Sequence, residues 1–136
     1  MSAAEEAWGL LRRLLLGERR RFLDAASELD LHPAQAGALL QMEPDGPLPM
    51  HELASMLACD NSNVTGIVDR LEARGLVARQ PYAADRRVKH LVLTQLGVQL
   101  REQMRARIAP APEALSRLSG AEQRQLRDLL RKALGT

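Results

Sequence analysis

Apolar residues recur at helical spacing along most of this chain, and strand-like alternation is confined to one short stretch. From about Glu5 to Leu29, the residues Trp8, Leu11, Leu15, Phe22, Ala26 and Leu29 follow one helical stripe, the period of an amphipathic helix. Leu10, Leu14 and Leu16 widen it. A helix apolar on more than one side needs more than one partner, which a second subunit would supply. Pro33 suits the first turn of a helix over about Ala34–Met42, because that position needs no N–H. Glu43 to Pro47 reads as a turn, Leu48–Met50 as a short extended piece and His51–Leu57 as a short helix. Ala58-Cys59-Asp60 is the next turn, with Asp60 placed to cap a helix over Asn61–Arg74. In that helix Val64, Ile67, Val68 and Leu71 point inward, and Gly75 ends it. Leu76–Tyr82 and Val88–Leu93 are two strands of a hairpin. Thr94 can cap a further helix carrying Leu96, Leu100, Met104 and Ile108, which Pro110 and Pro112 break. Ser119 and Glu122 form a capping box for a last helix with Leu126, Leu129, Leu130 and Leu134.

The predicted order is α-α-α-α-β-β-α-α: a mainly α fold with a small β-hairpin, in which a winged helix-turn-helix over 31–95 is flanked by a helical dimerisation region, 1–30 and 96–136. The chain of 136 residues suffices for one domain. Aromatic content of 2% requires an aliphatic core. No run of about 18 apolar residues predicts a membrane span, and the N-terminus has the wrong charge order for a secretory signal. One cysteine gives neither an internal disulfide nor a metal cluster. These features make a cytoplasmic protein the expectation.

Charge is distributed unevenly although the net value is only +2. Glu28 to Asp69 contains seven acids and no Lys or Arg, whereas Arg74 to His90 holds five bases against Asp85 alone. Basicity gathered near one hairpin is a nucleic-acid footprint, although a solvated basic surface would look the same. On the helix from Asn61, the face opposite the apolar stripe carries Ser62, Thr65, Gly66 and Asp69, with Asn61 and Asn63 in the first turn. Asn pairs bidentately with adenine, and hydroxyls reach several base edges. The same residue types also cap helix starts. Asp69 would repel phosphate and is expected beside Arg70 or at the groove edge. Arg70 and Arg74 could reach flanking phosphates or be merely solvated. At the hairpin tip, Asp85 can brace one of Arg86 and Arg87 while the other points outward.

The residues HELASMLACDNSNVTGIVDRLEARGLVAR (His51–Arg79) and DRRVKHLVLTQLG (Asp85–Gly97) resemble the MarR (multiple-antibiotic-resistance regulator) family of transcription factors. The flanking helices fit as well, so the resemblance covers essentially the whole chain. It implies a homodimer built on the first and last two helices, each subunit presenting a winged domain to double-stranded DNA. It places base contacts on Asn61, Ser62, Asn63 and Thr65, a phosphate contact on Arg70, and Arg87 in the minor groove with Asp85 positioning the wing arginines. It further implies a repressor released by small phenolic or lipophilic anions, or by cysteine oxidation. Two departures stand out: the helix before the recognition helix has no basic residue, and Pro110 and Pro112 interrupt a helix that is usually longer.

Other conspicuous residues have plainer readings. Cys59 lies in a turn, where a small packed thiol is expected, with a redox role as the alternative. His51-Glu52 lacks the second His of a zinc-protease motif, since Ser55 stands there. No metal site or cofactor is expected. Trp8 is expected in core or interface packing, with a cavity role as the alternative. A winged-helix interaction module without specific DNA binding is the competing function, kept open by the acidic stretch. An enzyme is disfavoured because no phosphate loop and no nucleophile–base pair exists.

Overall fold

The computed structural model describes residues 1–57, 61–82, 84, 85 and 87–136, with the backbone alone at 61 and 62. The elements run α1 (Ala3–Glu28), α2 (Pro33–Gln41), β1 (Leu48–Pro49), α3 (Met50–Met56), α4 (Asn61–Ala73), β2 (Val77–Pro81), β3 (Lys89–Leu93), α5 (Gln95–Ile108), a 3-10 turn at Glu113–Arg117, and α6 (Gly120–Leu134). Helix and strand positions follow the hydropathy pattern to within a residue or two. The sheet differs from a simple hairpin. It has three strands in the order β1-β3-β2, because Leu48 and Pro49 pair with Leu91 and His90. The extended reading of Leu48–Met50 holds at Leu48–Pro49, but two residues carry too little alternation to show that they pair with β3.

The chain divides into two compact units, Arg19–Ala109 and Met1–Glu18 with Pro110–Thr136. The division falls inside α1 and after α5, so the second half of α1 and all of α5 belong to the same unit as the winged elements. Within Arg19–Ala109 the core is aliphatic, as the aromatic-poor composition requires. Leu39, Met42, Leu53, Val64, Val68, Leu71, Leu76, Leu91 and Met104 are almost fully buried. The inward stripe of α4 thus meets α2, α3 and the sheet, leaving its other face outward.

Helix ends in this unit are satisfied locally. His32 caps α2 through Nδ1, which accepts from the Ala34 N–H, while Gln35 reaches back to the His32 N–H. Asp30 adopts a left-handed backbone (φ 56°) at the end of α1, a conformation Asp tolerates better than most residues. Arg21 of α1 donates to the carbonyls of Arg107 and Ile108, covering acceptors that the end of α5 leaves open.

The junction of α4, the hairpin and α5 is tighter still. Gly75 takes a positive φ of 72° after α4, and Leu76 N–H bonds back to Leu71 O. The Thr94 hydroxyl donates to Gly75 O at 2.6 Å and accepts from Gly97 N–H, while the Thr94 N–H donates to Leu76 O. A Cβ on Gly97 would lie 2.0 Å from Leu76 O, which no backbone can accept without moving. This explains the Leu-Thr-Gln-Leu-Gly spacing at residues 93–97: one residue fastens the strand, and the other lets the helix approach it.

In the other unit, Ser119 and Glu122 complete their capping box at α6. Hydrogen bonds to Ser119 hold the Glu122 carboxyl below its ordinary pKa, so this cap contributes at neutral pH and is lost as the medium turns acidic enough to protonate it. Pro110 and Pro112 do interrupt the chain, with α5 ending at Ile108 before the 3-10 turn. Trp8 is not buried. It is 53% exposed, with the Arg12 guanidinium 5.8 Å from its ring centre.

Gly97→Ala is expected to destabilise the protein by about 2–3 kcal/mol, because the added methyl must displace a backbone carbonyl. Urea unfolding measures this. An unchanged midpoint would mean that the α5–strand junction is not as tight as the geometry states.

Candidate nucleic-acid interface

The outward face of α4 and the hairpin following it form one continuous surface. Asn63 and Thr65 are exposed on α4, and Gly66 beside them leaves the backbone open, with nothing within 4 Å of an added Cβ. Asn61 and Ser62 occupy the first turn of the same helix. Their side chains lie outside the described residues, as do Arg86, Asp60, the expected cap of this helix, and Cys59 with its redox alternative.

The hairpin tip is built around Asp85. Its carboxylate accepts from the Arg87 backbone N–H at 3.0 Å and from Arg87 Nε at 3.4 Å. Asp85 N–H donates to Tyr82 O, and Asp85 O accepts from Val88 N–H. Short Asp side chains commonly stabilise turns in this way. The outcome is an Arg87 whose side chain is 93% exposed on a tip held by hydrogen bonds. Below it, Tyr82 stacks on His90 with ring centres 4.5 Å apart.

The arginines of the recognition helix do different things. Arg70 is exposed in the last turn. Arg74 donates through Nη1 to Asp30 O at 2.6 Å and to Gln35 Oε1 at 3.4 Å. Arg74, expected as a phosphate contact, thus has a tertiary role, tying the end of α4 to the end of α1. That carbonyl is available because Asp30 ends α1 in a left-handed turn, which the helical pattern alone does not reveal.

Asp69 also finds a partner other than the one expected. Arg79 of β2 donates Nη2 to Asp69 at 2.6 Å and Nη1 to Glu72 at 2.8 Å. The bond to Asp69, above all, raises the pKa of Arg79 further. One guanidinium thus bridges both outward carboxylates of the recognition helix, halving their net charge, and clasps that helix to the sheet. The sequence signal was present in two acids three residues apart on one helical face, but their partner lies across a turn. The acidic stretch is dispersed in the same manner. Glu28 pairs with Arg107 at 3.0 Å and Glu43 with the buried Arg101 at 3.5 Å, so three of its seven acids are answered by arginines from outside it. Among the described residues no group of three or more His, Cys, Asp or Glu could hold a metal ion, and no helix is long and apolar enough to cross a membrane.

A buried-face helix with a polar outward side, followed by a hairpin with an arginine at its tip, defines a winged helix-turn-helix protein. The MarR family matches residues 31–89, and the chain belongs to that family. It is 32% identical over 115 residues to the HTH-type transcriptional repressor NicR of Pseudomonas putida, covering 85% of this chain and 70% of that protein. It superposes on wild-type apo MarR from E. coli with a TM-score of 0.81 at 26% identity, covering 98% of this chain and 97% of the other. It also superposes on a point mutant of S. aureus MepR bound to an oligodeoxyribonucleotide, with a TM-score of 0.68 at 25% identity over 95% and 96% of the two chains. The protein is a DNA-binding transcriptional regulator.

Arg79→Ala is expected to lower affinity for duplex DNA about tenfold, since two outward carboxylates of α4 lose their counter-charge. Adding Asp69→Asn should recover much of the loss. Fluorescence anisotropy with a labelled duplex tests this, and failure of the second substitution to recover binding would assign Arg79 a phosphate contact of its own.

Proposed function

We propose that this chain is a homodimeric repressor that binds a near-palindromic operator and is released by a small anionic effector. The observation that carries the DNA reading is the pairing of an outward polar recognition helix with the exposed Arg87 on its braced tip. On this reading Asn61, Ser62, Asn63 and Thr65 meet base edges, Arg70 meets phosphate, and Arg86 and Arg87 engage the adjacent minor groove.

The dimer is supported by what α1 and α6 leave uncovered. Leu10, Leu15, Leu16, Leu129 and Leu134 are each more than half exposed, an apolar surface unusual for a monomer. Two copies would present two recognition helices, matched by half-sites about 10 bp apart.

Effector release is supported by a cavity of about 500 Å³ whose lining includes Arg19, Phe22, Leu57, Asn63, Ile67 and Arg70. Two arginines over an apolar bed suit an aromatic carboxylate. An anion held there would draw Arg70 and Asn63 away from DNA. The competing interaction-module reading rests on an acidic surface, and the ion pairs of Glu28, Glu43 and Asp69 weaken it.

A gel-shift against the DNA upstream of the chain's own gene, with random DNA as competitor, should give a discrete shifted band. Leu129→Glu should sediment as a monomer and lose that band while remaining folded. A wild-type chain that sediments as a monomer at micromolar concentration would overturn the dimer. Arg87→Ala should weaken binding to all sequences and flatten the dependence of binding on salt by about one unit; an unchanged slope would remove Arg87 from the interface.

A further inference from the structure

Between the recognition helix and the wing lies a cleft of about 330 Å³, whose lining adds Met50, His51, Val64, Val88 and Lys89 to the expected contacts Thr65 and Arg87. Its polar lining comes from three elements: His51 from the first turn of α3, Thr65 from α4, and Arg87 and Lys89 from the wing. The strand register explains how Lys89 arrives there. Cross-strand partners share a sheet face, and Lys89 pairs with Pro81, Leu91 with Arg79, and Leu93 with Val77. Leu91 is fully buried and Arg79 bonds to α4. That face is therefore the one turned towards the helices, and Lys89, at its open end, emerges beside α4 instead of on the outer surface.

A duplex imposes a simple constraint on such a cleft. If α4 lies in a major groove and the wing in the neighbouring minor groove, one sugar–phosphate strand runs between the two grooves and must pass between the two elements. We propose that this cleft seats a backbone phosphate of that strand, with the Lys89 ammonium as its counter-charge and the His51 imidazole N–H as a hydrogen-bond donor. The apolar floor, Val64 and Val88, contacts the sugar edge. His51 and Lys89 thereby fix how far the helix enters the groove without reading sequence, as phosphate contacts generally do. This site also offsets the missing basic residue in α3, since the positive charge that α3 lacks is brought to its first turn by the wing. The inference rests on the DNA-binding reading and adds to it two residues that the motif did not assign.

The test uses full-length protein with two probes, a random-sequence duplex and the upstream DNA, each titrated across a range of salt. Lys89→Ala should lower affinity about tenfold on both probes and reduce the magnitude of the salt slope by about one, the signature of one neutralised phosphate. His51→Ala should lower affinity on both probes by a smaller, similar factor. Both residues are exposed, so thermal unfolding should match that of the wild type. An unchanged slope for Lys89→Ala, while wild-type protein binds, would overturn the proposal and leave the DNA reading intact. A loss confined to the upstream DNA would overturn it in favour of a base contact. Wild-type protein that binds neither probe at low salt would overturn both.

Discussion

The structure depends on one close approach, that of the first turn of α5 to the backbone at Leu76. Gly97 permits it, and Thr94 fastens it by donating to Gly75 and accepting from Gly97. At this point the end of the recognition helix, the start of β2, the end of β3 and the start of α5 meet. Because Gly75 has a positive φ, α4 stops there and the chain turns directly into the wing. Hydrogen bonds at this junction thus help set the angle between α4 and the wing, which the two five-residue strands carry outward.

Charge completes what the junction begins. Arg79 joins β2 to α4 through Asp69 and Glu72, and Arg74 joins α4 to α1 through Asp30 O. These bonds are partly exposed and contribute modestly to stability one by one. Their larger effect is on the field the interface presents. Two outward carboxylates of α4 share one arginine, whereas Arg87 at the tip stands outward beside the Asp85 that orients it. The exposed Arg87 is therefore left at the wing tip while Arg79 offsets part of the negative charge on α4, a shift in the field that favours a polyanion partner.

The helices outside Arg19–Ala109 follow a different logic. Their polar ends are capped within the chain, as at Ser119 and Glu122, yet their leucines remain exposed. A unit that caps its helices but leaves apolar surface uncovered supports the proposed dimer, since burying that surface is the dominant favourable term available to it.

Much of this was legible in the sequence because it is local. The i, i+3, i+4 stripes of α4 and α6, the Gly75 stop, the Thr94 and Ser119 caps and the Asp85 turn each need only a few neighbouring residues to be recognised, so their chemistry and their place in the chain coincide. The same is true of the family resemblance, whose two motifs are contiguous. What the sequence left open is non-local. It could not pair Asp69 with Arg79 or Arg74 with Asp30, because those partners lie 10 and 44 residues apart and only the packed core sets their distance. Nor could it pair the extended Leu48–Pro49 with β3, or place Lys89 in the cleft beside His51, which follows from the register of the hairpin. The sequence by itself determined the elements and the surface chemistry each carries. The tertiary structure decided which charges are cancelled and which remain for a partner, because Coulomb energy depends on separation in space and not along the chain.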